Sequence, residues 1–325
     1  MKIMSFNING LRAFESKCGG DINAWFNKMN CDIYCLQELK GSKVPFEKYK
    51  FLKDYYSLLS FHDIKGKHGV GTFLKKKTTF CSKSVEIVKG RILKSYHGNF
   101  ILYNCYMPYY NGNKDMLVDD YKENEEFEDK IKSVYQSLEK DFIKHCDEKV
   151  IILGDLNAAY QLKDIFLYQQ EYKKILTQGE KISYSIPLES NLITKINPSV
   201  LELPYEFKNF KSLLEYFFIV WQRKWLKNFI EKYNLIDSFR MFDQRTNIYT
   251  CWNIEKRLRP KNLGSRIDLI LCNFKEVNYS SILNRIIGSD HCPVVTDFLV
   301  EKYEDNKNNL VNKEKNTLVN YLRKK

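Results

Sequence analysis

The residues of this chain whose types and spacing could do chemistry fall into five short clusters. They are Asn7 and Asn9 in FNING, Glu38 in CLQELK, Asp155 and Asn157 in VIILGDLN, Asp268 in SRIDLILCN, and Asp290 with His291 in GSDHCPV. Each cluster sits at an end of a short apolar run. A carboxylate there is costly to desolvate unless it is paired or bound to a cation. Acids, amides and an imidazole recurring from residue 7 to residue 291 therefore predict one metal-assisted site assembled by the fold. Hard oxygen donors suit Mg²⁺ or Mn²⁺ better than zinc or copper. Glu38 is the first choice of ligand, with Asn7, Asn9 and Asp290 beside it. Asp155 is expected to orient or deprotonate an attacking water that Asn157 holds in line. His291 is expected to donate to a phosphate oxygen, its ring fixed by Asp268. Phosphodiester or phosphomonoester hydrolysis is the reaction class that uses all these parts. Singly, GD-x-N is a turn signal and Asp-His a cap beside a core histidine; five such clusters in one chain are not explained that way.

These residues need strands to position them. KIMSFNI, DIYCLQE, YSLLSF, GVGTFLKK, NFILYNCYMP, KVIILGDLN, YTCW, RIDLILCN and CPVVTDFLV read as strands, being short and rich in Ile, Leu, Val or aromatics. Residues 21–30, 121–146 and the WQRKWLKNFIEKY stretch read as helices. The fold class is α/β, with mixed sheets and the polar strand ends on one rim. About Tyr160 to Val220 reads as a long loop or inserted subdomain, and 301–325 as a basic tail following a catalytic domain over 1–300.

Of 325 residues, 44% are hydrophobic and 14% aromatic, enough for a sizeable core. The net charge of +12 favours a polyanionic partner, nucleic acid first, although a Lys-rich composition also has compositional explanations. Nine cysteines without a C-x-x-C pair indicate thiols in a reducing compartment. No apolar run reaches the ~18 residues of a membrane span, so no membrane association is expected. A strand starting almost at Met1 leaves no room for a secretory or transit peptide, and an intracellular location is expected.

The motifs SFNINGLRA, CLQELK, NCYMP, VIILGDLN, DSFR, GSRIDLIL and GSDHCPV, in this order, resemble the exonuclease III family of AP endonucleases, within the larger endonuclease/exonuclease/phosphatase fold. The resemblance implies a four-layer α/β sandwich with the site at one edge of two packed sheets. It implies Glu38 on the metal with Asn7 beside it, Tyr106 near the scissile phosphate, Asp155 and Asn157 on the water, and Asp268 paired with His291. It also implies Asp290 as a further metal-site carboxylate, and it widens the metal set to Asn7, Glu38, Asp155, Asn157, Asp290 and His291.

TCW with GSRID looks like the AP endonuclease 2 branch. That likeness implies 3′→5′ exonuclease and 3′-phosphodiesterase action with weaker abasic-site incision, on duplex DNA with abasic sites or damaged or recessed 3′ ends. The pocket for the abasic sugar or 3′ end is expected from Cys251, Trp252, Ser265 and Ile267. Ser265 and Cys251 replace bulkier family residues, and a looser pocket captures an extrahelical sugar less well. Leu39 stands where the family has Thr. Lys65, Lys67, His68 and Lys75–Lys77 could contact phosphates, though a solvated loop face explains them equally well. KSLLEYFF resembles a sliding-clamp-binding peptide with anchors Leu214, Phe217 and Phe218; a buried helix face is the simpler reading. A monomer is expected. The rival readings are a retrotransposon-type DNA endonuclease, a catalytically silent DNA-binding module and a phosphoinositide phosphatase.

Overall fold

A computed structural model describes residues 1–41, 54–64, 66–109, 121–178, 203, 207, 209–254 and 256–300. The strands are β1 (Lys2–Asn7), β2 (Ile33–Gln37), β3 (Tyr55–Ser60), β4 (Val70–Lys75), β5 (Lys83–Val88), β6 (Ile92–Tyr96), β7 (Ile101–Tyr106), β8 (Val150–Asp155), β9 (Ile236–Asp237), β10 (Asp268–Cys272), β11 (Val277–Ile282) and β12 (Val294–Phe298). The helices are α1 (Leu11–Lys17), α2 (Ile22–Met29), α3 (Tyr121–Phe142), α4 (Phe166–Gln178), α5 (Phe210–Phe217), α6 (Trp221–Lys232) and α7 (Ser238–Phe242). The strands form two six-stranded mixed sheets, in the orders β11-β12-β1-β2-β4-β3 and β5-β6-β7-β8-β10-β9.

Strand periodicity builds the layers. In β8, Ile151 and Leu153 point into the space between the sheets, while Val150 and Ile152 point outward to α3 and α6. In β2, Ile33 and Cys35 face the other sheet while Tyr34 and Leu36 meet α1 and α2. Both sheets are thus buried on both faces. This explains why their strands read as continuous apolar runs and gives the expected four-layer sandwich. Gln37 crosses between the sheets, its Nε2 donating to Asn104 Oδ1 at 2.8 Å and to Ser5 Oγ at 3.2 Å. Asn104 in turn donates to Gly71 O at 3.0 Å. This satisfied polar pin fixes the registration of the two sheets next to the site.

One expectation needs correction, and two open alternatives narrow. YTCW is not a strand: Cys251 makes isolated bridges to Ser265 on one side and His291 on the other, so its pairing is a single residue deep. Of the two alternatives for 160–220, a loop or an inserted subdomain, the described part has the second's character: α4 and α5 pack together there through Tyr168, Ile175, Leu213 and Phe217. Phe217, offered as a clamp anchor, is fully buried in that cluster, so the buried helix face is what the structure forms. Lys65 and the 301–325 tail lie outside the described residues.

Candidate active site

The ends of β1, β2, β7, β8 and β10 converge on one rim. In register, Asn7 pairs with Gln37, Tyr106 with Asp155, and Asp155 with Asp268. Gly154, which precedes Asp155, has φ +138°, and a Cβ there would lie 1.8 Å from Cys105 O. Only glycine lets β8 lie this close to β7 and deliver Asp155 to the rim. Glu38, Asn9 and Asn157 all adopt left-handed backbone, with φ 53°, 49° and 48°. Such conformations are uncommon for residues with side chains and gather at functional sites. Glu38 is held there from both sides. Gly10 N–H donates to Glu38 O at 2.7 Å, and the two following amides, Leu39 and Lys40, donate to Gly69 O and His68 O.

Asn7 links two polar groups. Its Nδ2 donates to Glu38 Oε1 at 3.0 Å and to Asp155 Oδ2 at 2.9 Å, while its Oδ1 accepts the Asn9 N–H at 3.0 Å. On the outer side, Lys40 Nζ contacts Glu38 Oε2 at 2.8 Å and also donates to Asn9 Oδ1. Asn9 Nδ2 donates to Asp290 Oδ1 at 2.9 Å. On the inner side, His291 Nδ1 bonds Asp268 Oδ2 at 2.7 Å, and its Nε2 lies 3.9 Å from Asp155 Oδ2. The expected metal residues therefore divide: Glu38 and Asp290 on the rim, Asp155 and His291 in the buried group, with Asn7 between them as a donor to both. Asn157 donates its N–H to Asp155 Oδ1 at 3.0 Å and anchors its Nδ2 on Met107 O at 2.8 Å, which leaves Oδ1 as the end able to accept from a water.

The electrostatics follow from this burial. Desolvation pushes the Asp155 carboxyl up to about 7, with Asp268 adding to the rise and His291, Asn7 and Asn157 opposing it. Burial disfavours charge on His291, but Asp268, Cys251 and Asp155 outweigh it and hold the imidazole well above its usual range. Burial likewise acts to raise Glu38, yet the bonds from Lys40 and Asn7 bring it below the usual carboxylate range. Burial and the neighbouring Glu38 and Asp155 raise Tyr106, which keeps its hydroxyl protonated as a donor to Glu38.

A hard divalent cation fits the rim. Its donors are carboxylate and amide oxygens, and the Lys40 ammonium already sits among them on Glu38 and Asn9. Asp155, Asp268 and His291 also bring ligand atoms within 4.8 Å of one another.

Cys251, Ser265 and Ile267 are partly exposed beside this group. Trp252 is not a wall. It is 4% exposed within the intersheet core, its Nε1–H donates to Asn262, and its ring lies under Arg259. The neighbouring Gly264 leaves it room, since a Cβ there would fall 2.6 Å from Trp252 Nε1.

Two features were not read from sequence. Arg91 packs over the Tyr106 ring, donates to Tyr106 O at 3.1 Å and contacts His68 Nε2 at 3.0 Å. Behind Asp268, the wholly buried Arg266 binds Asp164 through two 2.8 Å contacts and Asp237 at 2.6 Å, and Arg240 joins Asp164 at 2.5 Å. Arg240 and Arg266 lie in the DSFR and GSRID motifs, but Asp164 carries no local signal of its partners.

The sequence pattern of the endonuclease/exonuclease/phosphatase family matches residues 4–291. The chain belongs to that family. It is 25% identical to the Saccharomyces cerevisiae protein named DNA-(apurinic or apyrimidinic site) endonuclease 2, over 91% of this chain and 66% of the relative. It is 28% identical to the Xenopus laevis protein of the same name, over 90% of this chain and 59% of that one. The chain thus spans less than two thirds of the length of these two relatives. Identity to a Bacillus subtilis exodeoxyribonuclease is 24%, covering 90% of this chain and 98% of the relative. The crystal structure of the Xenopus laevis APE2 catalytic domain superposes with a TM-score of 0.65 at 24% identity, covering 94% of each chain, which shows the shared fold. Among the described residues no helix is long and apolar enough to cross a membrane.

Proposed function

We propose that this chain is a Mg²⁺-dependent DNA-repair phosphodiesterase. It trims damaged or recessed 3′ ends by 3′→5′ exonuclease and 3′-phosphodiesterase action, and incises abasic sites more weakly. The observation that carries the reading is the single network from Glu38 through Asn7 and Asp155 to His291 and Asp268. Asp155 as acceptor of a water proton and His291 as donor, side by side in that network, support hydrolysis of a phosphodiester. The names of the relatives and the +12 charge support DNA as the phosphodiester.

Asp155 accepts the proton of the attacking water, which Asn157 Oδ1 holds in line. Asn7 keeps Asp155 Oδ2 aimed and ties it to Glu38. His291, whose hold on a proton is strengthened by Asp268, donates through Nε2 to a non-bridging phosphate oxygen as negative charge builds there. Asp268 fixes its ring, and the Tyr106 hydroxyl offers a second donor. Glu38 and Asp290, with Asn7 close by, would hold Mg²⁺, which when bound neutralises phosphate charge and stabilises the leaving 3′ oxyanion. The substrate supports a nuclear location.

The test uses two labelled duplexes with Mg²⁺, one with an internal abasic analogue and one with a mismatched recessed 3′ end, and Asp155→Asn as the blank. Trimming of the recessed end with little abasic incision is expected. Dominant abasic incision would overturn the assigned balance, and activity on neither would overturn DNA as the substrate.

A further inference from the structure

Tyr109 is the most exposed aromatic residue among those described, at 64%. Its ring meets no other described ring or cation, and its hydroxyl bonds no described residue. The backbone that carries it is nonetheless fixed. Met107 N–H donates to Asp155 O at 2.8 Å, and Met107 O accepts from Asn157 Nδ2 at 2.8 Å. The hydroxyl of the fully buried Tyr135 donates to Pro108 O at 2.9 Å and to Leu156 O at 3.1 Å. Tyr109 is the next residue. Consecutive Cα atoms lie about 3.8 Å apart, so its Cα is within about 7.6 Å of that of Met107. The 106–108 segment is thus tied to the 155–157 segment that carries Asp155 and Asn157. The first side chain beyond those ties is a large flat ring left in solvent.

We propose that Tyr109 is a stacking platform for the unpaired nucleobase at the 3′ end being trimmed. The inference rests on the proposed function and deepens it, by naming the state of the terminal base that the site prefers. Hydrolysis at Asp155 puts a nucleotide beside the scissile phosphate, and so next to the segment that ends in Tyr109. The base is the flat face that this nucleotide carries. A paired terminal base is already stacked in its duplex and gains little from a second partner. A mismatched or frayed base has lost its pair, and its free face gains from an aromatic ring. Every base has such a face, so the platform tolerates any sequence and selects the unpaired state. Tyrosine suits the task because only two side-chain torsions need fixing, and the pinned backbone beneath it lowers the ordering cost further. Stacking uses the ring and not the hydroxyl, in keeping with a hydroxyl that bonds no described residue.

The experiment measures binding of the full chain by fluorescence anisotropy, in chelator so that no strand is cut. Two recessed-end duplexes are compared. They are alike except that the mismatched 3′-terminal residue carries a base in one and is a baseless spacer in the other. The readout is the ratio of the two affinities within each protein, so any loss common to both duplexes cancels. Tyr109→Ala should lower the parent's ratio by about 5–100-fold, whereas Tyr109→Phe should keep it. An exposed side chain without partners tolerates such substitutions, so the fold is not at stake. An unchanged ratio in Tyr109→Ala, or an equal drop in Tyr109→Phe, would overturn the platform and leave the proposed function standing. Binding of neither duplex by the parent would overturn DNA as the substrate, and this inference with it.

Discussion

Asp155 and Asp268 face each other directly across the β8–β10 ladder and flank the same imidazole, Asp268 bonded to Nδ1 at 2.7 Å and Asp155 lying 3.9 Å from Nε2. Two buried carboxylates side by side would repel, and His291 between them supplies the compensating charge. The arrangement separates their tasks. Asp268 is committed to Nδ1, while Asp155 keeps an oxygen edge toward the rim. Asp268→Asn should therefore misorient the ring without removing the water acceptor. We expect kcat to fall by about 10²–10⁴-fold with little change in KM, measured on the recessed-end duplex. A matching rise in KM with kcat intact would contradict the positioning role.

Glu38 carries the metal assignment. Glu38→Ala should lower Mg²⁺-dependent cleavage by roughly 10²-fold or more and leave DNA binding largely intact by fluorescence anisotropy. Equal losses of binding and cleavage would show that Glu38 serves the DNA surface instead.

The Asp155 carboxyl is pushed up to about 7 by burial, whereas in an unfolded chain it titrates near 3.9. Between about pH 4 and 7 the folded protein holds a proton that the unfolded chain has lost, so this group makes stability fall as pH rises through that window. Asp155→Asn removes the effect. In chelator, the variant should melt above the parent at about pH 8, and the gap should shrink toward about pH 5. A gap that widens on acidification would mean that Asp155 is stabilised rather than penalised in the folded state.

Much of this was legible in the sequence because the acids and amides interrupt apolar strands at their ends, where burial makes a polar residue conspicuous. The helix pattern of α6 and the strand runs of β1, β2, β8 and β10 were equally plain. β5 was missed because KSVEIV is half-exposed and carries Lys and Glu. α4 was missed because its apolar face packs on α5, across a stretch with no strand rhythm. Asp164 could not be paired with Arg266 by any local rule, since 102 positions separate them. Trp252 was read as a pocket wall from its place in TCW. Only the fold shows that Asn262 and the room beside Gly264 turn it inward.

Ser265 bears on specificity. It is partly exposed and forms a hydrogen-bonded pair with Cys251, at 2.9 Å in both directions. A large side chain there would narrow the space beside Ile267. Ser265→Trp should raise abasic incision relative to 3′ trimming by roughly tenfold. An unchanged ratio in paired time courses would contradict the pocket assignment.

The central claim is that water, activated at Asp155, attacks phosphorus and expels the 3′ oxygen. Cleavage of the abasic duplex in ¹⁸O-enriched water, followed by mass spectrometry of both fragments, tests it most directly. The account predicts a free 3′-hydroxyl on one fragment, a single ¹⁸O in the new 5′-phosphate of the other, and loss of both products in Asp155→Asn. An unsaturated 3′ sugar end with no ¹⁸O in the phosphate would mean elimination instead of hydrolysis and would contradict the account.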